Sequence, residues 1–241
     1  MFGRFPPGSF DTLIGPDECD AATRRSVSDD DVVTAPRILG VDVARFGDDS
    51  SVIFPRQGLV AFPPIKVRNI DGTQGAGLVA RQWEDWQADA CFIDDTGGFG
   101  ASWIDNLVRL GRQPIGIHFA GKASDPRYEN KRTEMYFAAV DWIRRGGALP
   151  PGPASQELIA ALSRTTYSFR GDRLLLEPKE QVKARIGYSP DDADAFALTF
   201  AQPVAAREWF YDRTMEGLAM MERRRPGRLI SDYDPLAEFD E

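Results

Sequence analysis

Three short acidic motifs carry the chemistry of this sequence. Gly40-Val41-Asp42-Val43-Ala44 follows an apolar run, Phe92-Ile93-Asp94-Asp95-Thr96-Gly97-Gly98 closes another, and Ser189-Pro190-Asp191-Asp192-Ala193-Asp194-Ala195 opens a helical stretch. Carboxylates brought together raise one another's pKa, and only a cation lets all of them stay ionised. A hard, oxygen-rich set of this kind selects magnesium or manganese. Two such ions would activate a water and stabilise the leaving oxygen of a phosphodiester. The candidate catalytic residues and metal ligands are Asp42, Asp94, Asp191 and Asp194, with Asp48 or Asp49 able to reach the same ion through a water.

Each motif also has a plainer explanation. Asp42 can be a turn-former at a strand end, and Asp48 and Asp49 lie where Asp is common in turns. The glycines after Asp94 can let backbone approach a phosphate, or can simply make a tight strand-to-helix turn. Ser189 as N-cap, Pro190 at the first helical position and Asp192 two residues on read as a capping arrangement in which acids complement the helix dipole. That account covers Asp191 and Asp192. It does not cover Asp194, which lies inside the apolar segment 193–200 and shares a helix face with Asp191.

One phosphate-loop look-alike is rejected. Gly116-Ile117-His118-Phe119-Ala120-Gly121-Lys122-Ala123 nearly spells a Walker A loop, but Ala123 stands where the motif needs a hydroxyl for magnesium, and Pro126 opposes an immediate helix. The single histidine excludes a His-rich metal site. Basic residues gather in two places. Lys122, Arg127, Lys131 and Arg132 surround a loop and the start of a long helix, and Arg164, Arg170, Arg173, Lys179, Lys183 and Arg185 surround a hairpin. They can grip phosphates or form an ordinary solvated face.

The elements that must position these residues follow from patterning. Segment 36–42 reads as a buried strand, 51–54 as a second, and 59–62, extended through 65–67, as a third behind the turn at Arg56-Gln57-Gly58. A helix capped by Thr73 runs to about Gln87, and Ala90–Ile93 forms a fourth strand. A helix over 101–110 leads to a fifth strand at 114–119. Helices follow over 130–145, 155–162 and 190–201, with a hairpin around Gly171-Asp172 in the stretch 165–177. The expected fold is α/β, with a mixed five-stranded sheet of three antiparallel strands followed by two parallel ones, flanked by helices.

Residues 1–36, rich in Pro, Gly, Asp and Ser, read as a linker or the remnant of a preceding domain; 37–203 as the domain proper; and 204–241 as a helix with a loose tail. The 241 residues, 42% hydrophobic, support one real core. Two cysteines give neither a disulfide framework nor zinc spacing, the apolar runs are too short to span a bilayer, and a cytosolic setting is expected. The net charge of −8 means that a nucleic-acid binder would need its basic residues on one face and metal to offset the acidic centre.

In this order, the motifs resemble the nuclease domain of phage large terminase subunits, the motors that package viral DNA. The resemblance runs from about Leu39 to Thr199 and rests on residues 40–49, 93–98 and 189–195. Asn130-Lys131-Arg132-Thr133-Glu134-Met135 adds to it, as does Gly3-Arg4-Phe5-Pro6, which is similar to the hand-over from the family's ATPase half. It implies a ribonuclease H-like fold and magnesium- or manganese-dependent endonucleolytic cleavage of double-stranded, concatemeric viral DNA during packaging. The first acid maps to Asp42, the second to Asp94, the third to Asp191 or Asp194, and an accessory acid to Asp48 or Asp49. Implied partners are an ATPase domain, the small terminase subunit and the portal, in the cytoplasm of the infected host. DNA-binding candidates are Lys122, Arg127, Lys131, Arg132, Lys183 and Arg185. Alternatives are a junction resolvase or transposase-like nuclease of the same fold, an actin-like ATP-dependent phosphotransferase, and a non-catalytic docking module. A metal-ligand Asp changed to Asn is expected to relieve repulsion and leave metal-free stability equal or higher.

Overall fold

The structure, a computed structural model, describes residues 11–44 and 49–205. The elements run β1 (Asp11–Thr12), α1 (Pro16–Thr23), α2 (Asp29–Val32), β2 (Arg37–Asp42), β3 (Ser51–Gln57), β4 (Val60–Ala61), β5 (Ile65–Val67), α3 (Gly72–Asp85) and β6 (Ala90–Asp94). There follow α4 (Phe99–Arg109), β7 (Ile115–Ile117), α5 (Lys131–Arg144), α6 (Gln156–Arg164), β8 (Thr166–Arg170), β9 (Arg173–Leu176), α7 (Lys179–Ile186) and α8 (Asp191–Leu198).

The main sheet has the order β4-β3-β2-β6-β7, with β5 also paired to β3. β3 runs antiparallel to β2, β4 and β5, whereas β2, β6 and β7 are parallel. This is the mixed sheet expected from the sequence. The third strand differs: Phe62-Pro63-Pro64 breaks it into β4 and β5 along one edge of β3, because proline has no N–H to donate to a ladder.

Side-chain alternation along β2 divides the core in two. Leu39 and Val41 face one cluster with Val79, Trp86, Trp103 and Leu107, from the α3–α4 side. Ile38 faces the other, with Phe54, Tyr136, Leu158 and Phe196, from the α5–α6–α8 side. Gly40, on that second face, lies directly under α8; a Cβ there would stand 2.1 Å from Ala195 O. Only glycine permits so close an approach of helix to strand. α8 is buried along its whole length.

Four boundaries differ from the sequence reading. α3 is capped by Asp71, whose carboxylate accepts from the N–H groups of Thr73 and Gln74, so Thr73 is already inside the helix. α8 begins at Asp191 with Pro190 as N-cap and no side-chain cap; Ser189 instead donates its hydroxyl to Asp191 Oδ1, and Asp192 caps nothing. α7 lies between the hairpin and the last helix, where the sequence pattern assigns no element. The expected linker is built into the fold from Asp11 onward: β1 pairs with β8, and Leu13, Ile14, Cys19 and Ala22 are in the core. The hairpin is formed by β8 and β9, closed at Arg170–Arg173 with Gly171 at φ 63°. The expected C-terminal helix and tail lie outside the described residues from 206 onward.

Candidate functional site

Asp42 is the last residue of β2 and Asp94 the last of β6. The parallel ladder puts Val41 opposite Ile93, so the two carboxylates leave adjacent strands at the same end of the sheet. The N-terminus of α8, pressed onto β2 at Gly40, brings Asp191 and Asp194 to that end. Asp42, Asp191 and Asp194 are buried at 3%, 7% and 0% exposure.

Into the middle of these acids reaches Lys179, the first residue of α7. Its Nζ lies 3.0 Å from Asp42 Oδ2, 3.0 Å from Asp191 Oδ1 and 3.0 Å from Asp194 Oδ2. Among the described residues the acids do not stand as an open metal-ligand set. Three of them surround an ammonium instead. Burial pushes the Asp42 carboxyl well up despite Lys179, and the neighbouring acids add to the rise. Burial likewise raises Asp94, against the bond donated by Thr96 N to its Oδ1 at 2.8 Å. Burial would also raise Asp194, but the charges of Arg132 and Lys179 and the Tyr136 hydroxyl outweigh it and hold this carboxyl low. Lys179 is held well above the ordinary lysine value: burial opposes its charge, and the three carboxylates overcome that.

Behind Asp194 stands a second layer. Arg132 Nε donates to Asp194 Oδ1 at 3.0 Å, and the Tyr136 hydroxyl donates to the same oxygen at 2.6 Å. Arg132 also donates to Glu177 O. Arg185 grips the buried Glu177 carboxylate with both terminal nitrogens, which fastens α7 beside the end of β9. A cleft of about 630 Å³ opens over the acids, with Asp49, Thr96, Phe99, Phe119 and Glu180 on its walls.

The structure therefore brings Asp42, Asp94 and Asp191 to one cleft, with Asp194 buried beneath it against Lys179. Asp48 lies outside the described residues. Asp49 reaches the cleft wall and holds Lys183 at 2.6 Å. Asp192 points away and pairs with Lys66 at 2.8 Å. Of the expected phosphate grips, Arg132 is buried at 8% exposure and committed to Asp194, and the Arg185 fork is taken by Glu177. Arg132 holds the site together from a buried position, whereas Arg185, committed to Glu177, keeps 42% of its side chain exposed. Lys122 and Arg127 are exposed, Arg127 beside Asp125, and Lys131 pairs with Glu134. The Walker-like stretch is β7 followed by a turn, with α5 starting only at Lys131.

From the sequence, Lys179 is only one of several basic residues near the hairpin. α7 is charged almost all round, with Val182 as its one buried residue, so it lacks an apolar stripe. The signal present was punctuation: Pro178 before the helix and Gly187, at φ 90°, after it.

No protein-family model and no curated protein matches the chain. Solved structures do. The nuclease domain of the large terminase subunit gp2 of bacterial virus Sf6 superposes with a TM-score of 0.64 at 19% identity, covering 80% of this chain and all (100%) of that one. A mutant of the same domain with manganese gives 0.65 at 17% identity over the same shares. The HK97 bacteriophage large terminase gives 0.56 at 8% identity, over 80% of this chain and 44% of that one. The resemblance read from the motifs is thus matched by a shared ribonuclease H-like fold.

Proposed function

We propose that this chain is a divalent-metal-dependent DNA endonuclease, the nuclease part of a phage large terminase, which cuts concatemeric viral DNA into packaged units. The observation that carries this reading is the ring of Asp42, Asp191 and Asp194 around a single cationic point at the end of the sheet, with Asp94 on the adjacent strand. An oxygen-only donor set fits magnesium or manganese. The buried Asp194 Oδ2, which has no well-directed hydrogen bond and faces only a positive charge, fits a cation as well. The manganese-bound neighbour supports the same choice.

Asp42, Asp94, Asp191 and Asp194 would hold the metal, which supplies an activated water and positive charge at the leaving oxygen. The chain's own residues prepare the place. The strand ends fix Asp42 and Asp94, Arg132 and Tyr136 keep Asp194 ionised and aimed, and Thr96 N orients Asp94. Lys179 neutralises the cluster in the metal-free protein.

In the full motor the chain would work beside an ATPase domain, the small subunit and the portal, in the infected host's cytoplasm. It spans 44% of the HK97 large terminase, which leaves length for such a domain in that protein. The test is incubation of supercoiled plasmid with manganese, with magnesium and with chelator. Nicked and linear products in the metal tubes alone are expected; intact plasmid in every tube at high protein concentration overturns the reading.

A further inference from the structure

A second cleft, of about 310 Å³, lies beyond α8 and shares Asp49 and Asp191 with the first, so the two form one groove past the start of that helix. Lys66, Arg68 and Lys183 reach its walls, together with Ser50, Tyr188 and Ser189. Its carboxylates are largely engaged. Lys66 holds Glu157 at 2.6 Å and Asp192 at 2.8 Å, and Lys183 holds Asp49 at 2.6 Å. Arg68 is different: among the described residues it has no ion-pair partner and donates Nε to the neutral Ser50 Oγ at 2.8 Å. Ser50 in turn donates its backbone N–H to Asp191 Oδ2 at 3.2 Å. One residue thus fixes the arginine and an acid of the first cleft relative to each other. The terminal nitrogens of Arg68 stay available in the planar geometry that matches a phosphate.

We infer that this second cleft seats a backbone phosphate of the bound DNA strand next to the one being cut, with Arg68 as its principal contact and Lys183 exchanging Asp49 for the phosphate. The inference rests on the nuclease reading and adds to it the path of the strand: through the acid cleft, past Asp191, and on to Arg68. Asp49 and Asp191 form the step between the two, and their charge keeps a phosphate from settling on the step itself.

The test uses the full chain and a linear DNA duplex. Binding is measured in chelator at several salt concentrations, and cutting is measured with manganese. Arg68→Ala is expected to weaken binding and raise KM by about ten-fold, the loss of one charge-assisted hydrogen-bond pair. The salt dependence should flatten by about one phosphate contact while kcat at saturating DNA holds. Arg68→Lys should recover part of the affinity, and Arg109→Ala, which removes an exposed arginine at the far end of α4, should keep wild-type affinity and salt slope. Inorganic phosphate should compete with DNA on the wild type and less well on Arg68→Ala. Wild-type affinity and salt slope in Arg68→Ala overturn the inference. Arg68-dependent binding without any metal-dependent cutting supports this cleft and overturns the nuclease reading instead.

Discussion

Lys179 Nζ lies 3.0 Å from Asp42 Oδ2, across 137 positions of sequence. The same ammonium touches Asp191 and Asp194, so one flexible side chain balances three carboxylates contributed by a strand and a helix. Lys179→Ala should therefore lower metal-free stability by roughly 1–3 kcal/mol, less than a fully buried pair loses because about a third of this side chain meets solvent. Manganese should raise the melting temperature of the variant by more than that of the wild type, since a cation bound only by the native state adds stability. Thermal melting with and without manganese checks this; equal metal-free melting temperatures would refute it.

The four acids should separate by stability although not by activity. Asn at position 42, 94, 191 or 194 should abolish plasmid cutting. The sequence alone suggested that each such change leaves metal-free stability equal or higher. The structure keeps that expectation for Asp94, whose carboxyl burial pushes up and whose partner is a backbone N–H. It reverses it for Asp194, where the change strands the buried Arg132 and should cost roughly 3 kcal/mol. Urea unfolding in chelator compares the two; Asp194→Asn as stable as Asp94→Asn would remove the structural role given to Arg132.

Tyr136→Phe deletes only the hydroxyl that donates to Asp194 Oδ1. A buried hydrogen bond to a charged group is worth about 1.5–3 kcal/mol. The melting temperature should fall by roughly 3–12 °C for a chain of this size. Cutting should weaken without vanishing, because Arg132 still holds the carboxylate. A variant that melts with the wild type would show that the hydroxyl contributes nothing to the site.

Among the basic residues, Lys122→Ala and Arg127→Ala, both exposed, should weaken DNA binding and flatten its salt dependence by about one unit each at unchanged stability. Arg185→Ala should mainly loosen α7, because its fork closes on Glu177. Titration of duplex DNA at several salt concentrations, paired with melting curves, separates the two kinds. Stable Arg185→Ala protein with a reduced salt slope would return that residue to the DNA-facing set.

The strand-borne half of the site was legible because an apolar run ending in Asp has few meanings: β2 and β6 are buried on both faces, and a carboxylate at such an end demands a partner. Asp194 was legible for the same reason within α8. Periodicity could not reveal α7, which carries charge on nearly every face, and so it could not reveal that Lys179 is the partner. Nor could it tell Arg132 from Lys131. The two are adjacent on α5, yet one faces the buried Asp194 and the other the half-buried Glu134. Such sorting depends on which helix packs against which, and the linear pattern does not contain that. The N-terminal stretch misled because its polar composition masks the few apolar anchors, Leu13, Ile14 and Cys19, that tie it down.

Gly40 carries none of the chemistry and still sets its scale. The gap between β2 and α8 has no room for a side chain at that point, since a single methyl would sit 2.1 Å from Ala195 O and 3.1 Å from Leu198 Cβ and Thr199 Cγ2. The helix thickness is thus the gauge against which Asp191 and Asp194 are positioned over Asp42. Any larger residue at position 40 would act as a shim, lifting both helix acids together away from Asp42 without removing any of them. The cluster's tolerance for change is therefore lopsided: its surroundings can be altered one side chain at a time, but its aperture is cut to a fixed width by a missing atom.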